Sequence, residues 1–134
     1  MPQTTNTLAA TAVMPSLTVN NLQKSLDFFA GLGFEVEERW EHDGALLGAM
    51  LKAGTARLGV NQDDGKKGLD RVKGIGVRIM VEATDDINAV AARAKAAGVT
   101  LSKEPHDTEW GARAFEVMEP SGFALTIYSP PSRA

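Results

Sequence analysis

Two arginines and one glutamate are the side chains of this chain best suited to hold a polar ligand. Arg57 and Arg78 each fall on the side of a short alternating run opposite to its branched apolar residues. A guanidinium in a half-open cavity can bind a carboxylate or phosphate through two parallel hydrogen bonds. Glu116 occupies a corresponding position and is the one candidate for a catalytic base. The simpler alternative is that Arg78 pairs with Glu116 and only closes the sheet.

Aromatic and neutral polar side chains extend this set. Trp110 follows a loop, and Tyr128 ends the last alternating run, so both could form a wall for a flat ligand. Aromatic residues on strands also serve as core or dimer interface, because each buries a large area. The ligand-binding residues predicted from the sequence are Arg57, Asn61, Arg78, Trp110, Glu116, Thr126 and Tyr128.

The two histidines are not expected to take part in the chemistry. His42 precedes the Asp43-Gly44 turn, and His106 lies in a predicted loop beside Pro105. Neither is on a predicted inward strand face, so both are expected at the surface.

The elements that must position these residues form one pattern that occurs twice. Each copy is a strand, a helix and then three strands, and a repeat of this length is a specific indicator of architecture. The second helix is expected to be about one turn longer than the first. The predicted strands are 13–19, 34–41, 45–52 and 55–61, then 74–82, 99–104, 112–119 and 123–128.

These patterns divide the chain into one domain between two tails. The predicted parts are a flexible tail at 1–12, a domain at 13–129 and a C-terminal tail at 130–134. Within the domain, module 1 spans 13–61, a solvated linker spans 62–73 and module 2 spans 74–129. Two such sheets brought together predict an α+β fold of paired βαβββ modules that form an incomplete barrel.

Composition narrows the possible functions. The chain has 134 residues, a net charge of −3 and no cysteine. No block of Lys and Arg points to nucleic acid, and no apolar run approaches the roughly 20 residues that span a bilayer. Without cysteine, disulfides and thiolate ligands are excluded. The N-terminus has no basic residue, so we expect no signal peptide and a cytoplasmic protein.

The motifs of the chain resemble the vicinal-oxygen-chelate superfamily, which includes glyoxalases, bleomycin-resistance proteins and dioxygenases. The resemblance covers roughly residues 13–129. The motifs that carry it are LTVNNLQKSLDFF at 17–29, GLGF at 31–34, AAGV at 96–99, WGAR at 110–113 and EPSGF at 119–123.

This resemblance implies a homodimer and, in metal-using members, His and Glu ligands on the inward faces of the first and last strand of each module. Carried over by motif, those positions hold Met14, Gly59, Gly76 and Thr126. None of them has the imidazole or carboxylate that such a metal prefers. We therefore expect no metal and no other cofactor.

Three functions remain open from the sequence. The first is a metal-independent cleft that binds a small aromatic or anionic compound, by sequestration as in bleomycin-resistance proteins. The second is an enzyme of the same superfamily, a lyase, isomerase or dioxygenase, with Glu116 as base and Arg57 or Arg78 as oxyanion partner. The third is a non-catalytic regulatory or structural subunit.

Overall fold

The fold consists of two similar halves, each a four-stranded sheet with one helix. A computed structural model describes residues 6–68 and 71–131. The elements are β1 (Ser16–Val19), α1 (Leu22–Leu32), β2 (Glu35–His42), β3 (Ala45–Ala53), β4 (Ala56–Gln62), β5 (Arg78–Glu82), α2 (Ile87–Ala96), β6 (Leu101–Asp107), β7 (Arg113–Met118) and β8 (Ala124–Tyr128).

Each half forms a mixed sheet with the same strand order. The first sheet runs β1-β4-β3-β2 and the second runs β5-β8-β7-β6. The first strand of each sheet pairs in parallel with the last, and the other neighbours are antiparallel. This is the predicted α+β architecture of paired βαβββ modules, open rather than closed. β1 and β5 are edge strands in these sheets, and each has one side without a strand partner.

The apolar faces of both sheets share one core with the two helices. Leu17 and Val19 of β1 are buried, as are Leu125 and Ile127 of β8. Phe29 of α1 is fully buried in this core. Burial of such faces is the main stabilising contribution, roughly 25 cal/mol per Å² of apolar surface. The opposite, polar faces of the two sheets are therefore left open to solvent, and we call them the concave faces.

Side-chain hydrogen bonds cap the first turn of each helix, and a glycine follows the last turn of α1. The Asn21 side chain accepts a hydrogen bond from the Lys24 N–H at 3.1 Å and caps α1, which ends at Gly33 with a left-handed φ of 105°. Asp86 caps α2 by accepting from the Asn88 N–H at 3.0 Å. The expectation of a longer second helix is wrong, because α1 has 11 residues and α2 has 10. No helix in 6–68 and 71–131 is long and apolar enough to cross a membrane.

Strand boundaries differ from the predicted ones in two places that affect the site. β5 begins at Arg78 rather than at residue 74, because Gly74 and Gly76 adopt positive φ angles of 78° and 79° and form turns. β6 runs from Leu101 to Asp107 and so includes the segment that was expected to be a loop after residue 104.

The segment between the modules is anchored rather than fully solvated. The Asp63 side chain is only 7% exposed and lies 2.8 Å from Lys73 Nζ, whose side chain is 4% exposed. The hydrogen bonds from Lys73 Nζ and the Gly65 N–H, with the nearby Arg71, lower the pKa of Asp63 to about 2. Lys73 Nζ also donates to the Asn20 side chain at the start of α1.

A second buried contact continues this connection into module 2. Ser25 of α1 donates a hydrogen bond to the Glu119 carboxylate, which also accepts from the Ser121 N–H at 2.6 Å. The Asn20 N–H donates to Ser121 Oγ at 2.8 Å. The β7–β8 turn is thereby joined to the β1–α1 connection. We call the set Asn20, Ser25, Asp63, Lys73, Glu119 and Ser121 the junction.

Candidate functional site

The concave faces of the two sheets carry side chains in matching rows. In module 1, one row runs Thr18, Asn61, Gly48 and Trp40 across β1, β4, β3 and β2. The matching row of module 2 runs Glu82, Tyr128, Ala114 and His106 across β5, β8, β7 and β6. The next row of module 2 is Met80, Thr126, Glu116 and Lys103. Equivalent strand positions of the two modules therefore carry side chains of different chemical types.

Arg78, Glu116 and Thr126 meet on the concave face of module 2. Arg78 Nη1 donates to Thr126 Oγ1 at 3.0 Å and lies 3.4 Å from Glu116 Oε1. The Arg78 side chain is 46% exposed and that of Glu116 is 27% exposed. The Arg78–Glu116 pair, which the sequence offered as the simpler alternative, is present, and much of the guanidinium still faces solvent.

Trp110 and Tyr128 lie beside this ion pair. Their ring centroids are 5.3 Å apart at an interplanar angle of 74°, an edge-to-face contact. Trp110 is 48% exposed, while Tyr128 is partly buried. Burial and the neighbouring Glu82 carboxylate raise the pKa of Tyr128, so its hydroxyl stays protonated at neutral pH. The indole thus presents an open apolar surface next to a neutral phenol.

A recess of about 520 Å³ brings these groups together. It is lined by Arg78, Met80, Lys103, His106, Asp107, Thr108, Glu109, Trp110, Ala114, Glu116 and Thr126. Of the seven predicted binding residues, Arg78, Trp110, Glu116 and Thr126 line it, and Tyr128 contacts it through Trp110.

His106 lines this recess, although the sequence predicts it at the surface. It lies in β6, opposite Ala114, and is half-buried rather than in a surface loop. The alternation of apolar and polar residues did not reveal it, because the ladder between β6 and β7 is irregular on both sides of Lys103. Pro105, which favours edges and bulges, was the available indication.

Arg57 and Asn61 lie on the other sheet and do not reach this recess. Arg57 forms two hydrogen bonds with the Glu37 carboxylate, at 2.7 and 2.9 Å. This interaction lowers the pKa of Glu37 and raises that of Arg57. Asn61 donates to Ser16 Oγ at 3.0 Å. Five of the seven predicted residues therefore lie in module 2, and two lie in module 1.

Trp40 gives module 1 an aromatic surface of its own. A Cβ on Gly48 would lie 2.9 Å from Trp40 Cε3 and 2.7 Å from Asn61 Oδ1, so the indole lies over Gly48 and close to Asn61. Trp40 is 38% exposed. The pairing of a tryptophan with a glycine across two adjacent strands was the sequence feature that could have indicated it.

A wider groove of about 990 Å³ lies between the modules. Its walls are residues 12–17, residue 55 with the first part of β4 to residue 58, residue 77 with the free edge of β5 to residue 82, and Phe34 and Phe123. The groove is mostly apolar, it shares Arg78 with the smaller recess, and its other guanidinium, that of Arg57, makes two short hydrogen bonds with Glu37. The smaller recess offers the more varied chemistry, so the candidate site is placed there.

The positions that hold a metal in related proteins do not fit one here. Gly59 lies opposite Ser16 and Thr126 lies opposite Met80, so the register replaces the expected Met14 and Gly76 with Ser16 and Met80. A glycine, a thioether and two hydroxyls make a poor donor set for a divalent ion. Within 6–68 and 71–131, no three His, Asp or Glu side chains group closely enough to hold a metal ion.

Comparison with known proteins identifies the family. The sequence model of the Glyoxalase/Bleomycin resistance protein/Dioxygenase superfamily matches residues 8–127. This chain therefore belongs to that superfamily. A search of curated proteins gives no significant match.

Solved structures share the fold at low sequence identity. TioX from Micromonospora sp. ML1 is 19% identical with a TM-score of 0.71, covering 90% of this chain and 98% of its own. A glyoxalase/bleomycin resistance protein/dioxygenase from Nocardioides is 18% identical with a TM-score of 0.69, covering 97% and 89%. A superfamily member from Sphaerobacter thermophilus is 23% identical with a TM-score of 0.65, covering 92% and 100%. At these identities the similarity establishes the fold alone.

Proposed function

We propose that this protein binds a small aromatic anion in the module 2 recess without a metal ion. The observation that carries the proposal is that the half-exposed Arg78 guanidinium and the half-exposed Trp110 indole line the same recess. A planar ligand can place its ring against the indole and its carboxylate or phosphate against the guanidinium. Lys103 adds a second cation to the same recess.

The Arg78–Glu116 pair supports this proposal. Glu116 Oε1 is 3.4 Å from Arg78 Nη1, a long contact, and the pair is partly exposed. Such a pair contributes little to stability, about 0–1 kcal/mol, so an incoming anion can compete for the guanidinium. The Thr126 hydroxyl holds the same nitrogen at 3.0 Å and keeps the cation in place.

We also propose that a second copy of the chain completes the cleft, as a cytoplasmic homodimer. Support comes from the free edges of β1 and β5 and from large apolar side chains exposed near them. Val77 is 52% exposed, Met80 48% and Met14 43%, all beside the wider groove. Edge strands and apolar patches of this kind favour association with another chain.

Binding of 2-naphthoate tests the proposed function. We expect quenching of the Trp110 fluorescence and a measurable dissociation constant by calorimetry. Arg78→Gln removes the charge-assisted hydrogen bond, worth roughly 1.5–3 kcal/mol, so the affinity should fall at least about tenfold. Trp110→Leu should weaken binding as well, because it removes the apolar platform.

The matched control is Arg93→Gln, on an exposed α2 arginine that lies 3.6 Å from Asp85 and outside the recess. Equal losses in Arg78→Gln and Arg93→Gln would attribute binding to net charge and contradict the site. Addition of nickel, zinc, iron(II) or manganese should leave the melting temperature unchanged, because a ligand of the native state must raise it. A clear rise with any of these ions would contradict metal-free binding.

A further inference from the structure

His106 reaches the concave face through a bulge in β6. Lys103 lies opposite Glu116 and His106 lies opposite Ala114, so three steps along β6 match two steps along β7. Residues three apart in a regular strand point to opposite faces, and the one extra residue returns His106 to the face of Lys103. Pro105 lies inside this bulge. Both side chains accordingly line the recess.

The imidazole is held in one tautomer. His106 Nδ1 is 2.9 Å from the Glu104 carbonyl oxygen. A carbonyl only accepts hydrogen bonds, so Nδ1 carries the proton in the neutral ring. Nε2 then has a free lone pair, which is the requirement for a general base.

The surroundings of His106 combine two cations and three carboxylates with an apolar side. The charged groups that face the recess are Lys103 and Asp107 from β6, Glu109 from the following loop, Glu116 from β7 and Arg78 from β5. Ala114 and Glu116 are two residues apart on β7, so the His106 row and the Lys103 row are about 7 Å apart. That spacing accommodates one carboxylate or carbonyl together with its adjacent carbon.

We infer that His106 is a proton-transfer residue and that the recess acts on planar aromatic carbon acids with a keto and a carboxylate group. This inference rests on the proposed function. His106 Nε2 removes a proton from the carbon next to the carbonyl, and the electron pair of that C–H bond passes to the carbonyl oxygen as an enolate. Arg78 and Lys103 stabilise the negative charge. The imidazolium returns the proton to carbon or oxygen, so a tautomer forms without any co-reactant. Aromatic anions without such a C–H bond are bound and released unchanged.

Phenylpyruvate in deuterium oxide is the probe, because exchange of its C3 protons for deuterium requires only this proton transfer. Proton NMR measures the exchange rate with and without the protein. We expect an acceleration of about 100-fold over buffer, the range of a positioned general base. His106→Gln and His106→Asn should return the rate to that of buffer. His42→Gln is the matched control, since His42 is the other histidine and its side chain is 75% exposed.

The outcomes separate this inference from the proposed function. Fluorescence quenching in a Trp40→Phe background reports phenylpyruvate binding at Trp110. Binding without acceleration, or equal rates in the wild type and both His106 variants, would overturn the proton-transfer role and leave the binding function intact. Absence of phenylpyruvate binding would overturn the inference, and absence of 2-naphthoate binding as well would overturn the proposed function. In the wild type, long-range proton–nitrogen NMR should show a protonated Nδ1 and a bare Nε2 in neutral His106, and the opposite tautomer would also contradict the inference.

Discussion

At the scale of single residues, two glycines in the concave face of module 1 differ in what surrounds them. An added Cβ on Gly48 would lie 2.9 Å or closer to Trp40, Asn61 and the Val60 carbonyl oxygen. An added Cβ on Gly59 would have Ser16 Oγ as its nearest neighbour, at an ordinary 3.6 Å. Neither glycine has a positive φ angle, so the space around the added Cβ alone decides whether alanine is tolerated.

Gly48→Ala should therefore lower the free energy of unfolding by about 1–3 kcal/mol, the usual range for overpacking. It should also change the fluorescence of Trp40, whose ring must move. Chemical denaturation and emission spectra measure both effects. Gly59→Ala is the control and should change neither. Equal stabilities of the two variants would contradict the position assigned to the Trp40 indole.

At the scale of elements, the N-cap residue that local propensity favours for α2 differs from the N-cap residue in the structure. The sequence favours Thr84 as the N-cap, since threonine is a common cap and two aspartates follow it. In the structure, the Asp86 side chain accepts the hydrogen bond from the Asn88 N–H and the helix begins at Ile87.

Asp86→Ala should accordingly cost about 1 kcal/mol of stability, whereas Thr84→Ala should be close to neutral. Thermal unfolding followed by circular dichroism distinguishes the two variants. A larger loss from Thr84→Ala would mean that the helix begins two residues earlier than described.

The same scale shows how much the sequence could predict. Alternation with period two places Leu17, Leu125 and Ile127 on the core faces and Arg78 on the open face, and the structure agrees because those strands are regular. It gave no face for His106, because that residue was expected in a loop and the β6–β7 ladder is irregular on both sides of Lys103. The contact of Lys73 with Asn20 could not be predicted either, since a hydrogen bond between residues 53 positions apart leaves no local pattern in the sequence.

At the scale of the whole molecule, the junction makes stability depend on pH. The pKa of Asp63 is lowered from its ordinary 3.8 to about 2, chiefly by the hydrogen bond from Lys73. A lowered carboxyl pKa stabilises the fold fully above the unfolded value, and this stabilisation is lost as the pH falls through the folded value. The loss for Asp63 therefore falls between about pH 4 and pH 2.

Asp63→Asn should remove the stabilisation that the Asp63 carboxylate provides. The unfolding free energy of this variant should therefore depend less on pH between 4 and 2 than that of the wild type. Its stability at pH 7 should also be lower, because Lys73 remains buried without that partner. Urea titrations at several pH values measure both. Asp64→Asn, at the exposed neighbouring position, is the control and should keep the wild-type slope. An unchanged slope in Asp63→Asn would contradict the lowered pKa.

The proposed homodimer predicts a mass in solution of twice the 14.3 kDa of the chain. Val77→Glu places a charge beside the free edge of β5 and should shift the protein toward the monomer. Light scattering after size exclusion measures the mass. Thr100→Glu, an exposed position between α2 and β6, is the control and should remain a dimer. A monomeric wild type would reject the dimer outright.

The bulge in β6 also has a consequence for how this protein can diverge. Lys103 and His106 share one face because the strand carries one more residue between them than its partner does. Loss of a single codon, for Glu104 or Pro105, would move the imidazole to the helix side of the sheet and leave Lys103, Glu116 and Arg78 in place. One in-frame deletion could thus convert a site with a base into a purely binding site, with no substitution at any residue that contacts the ligand. If His106 has the proposed role, a change in strand length alone would separate proton transfer from binding in this protein.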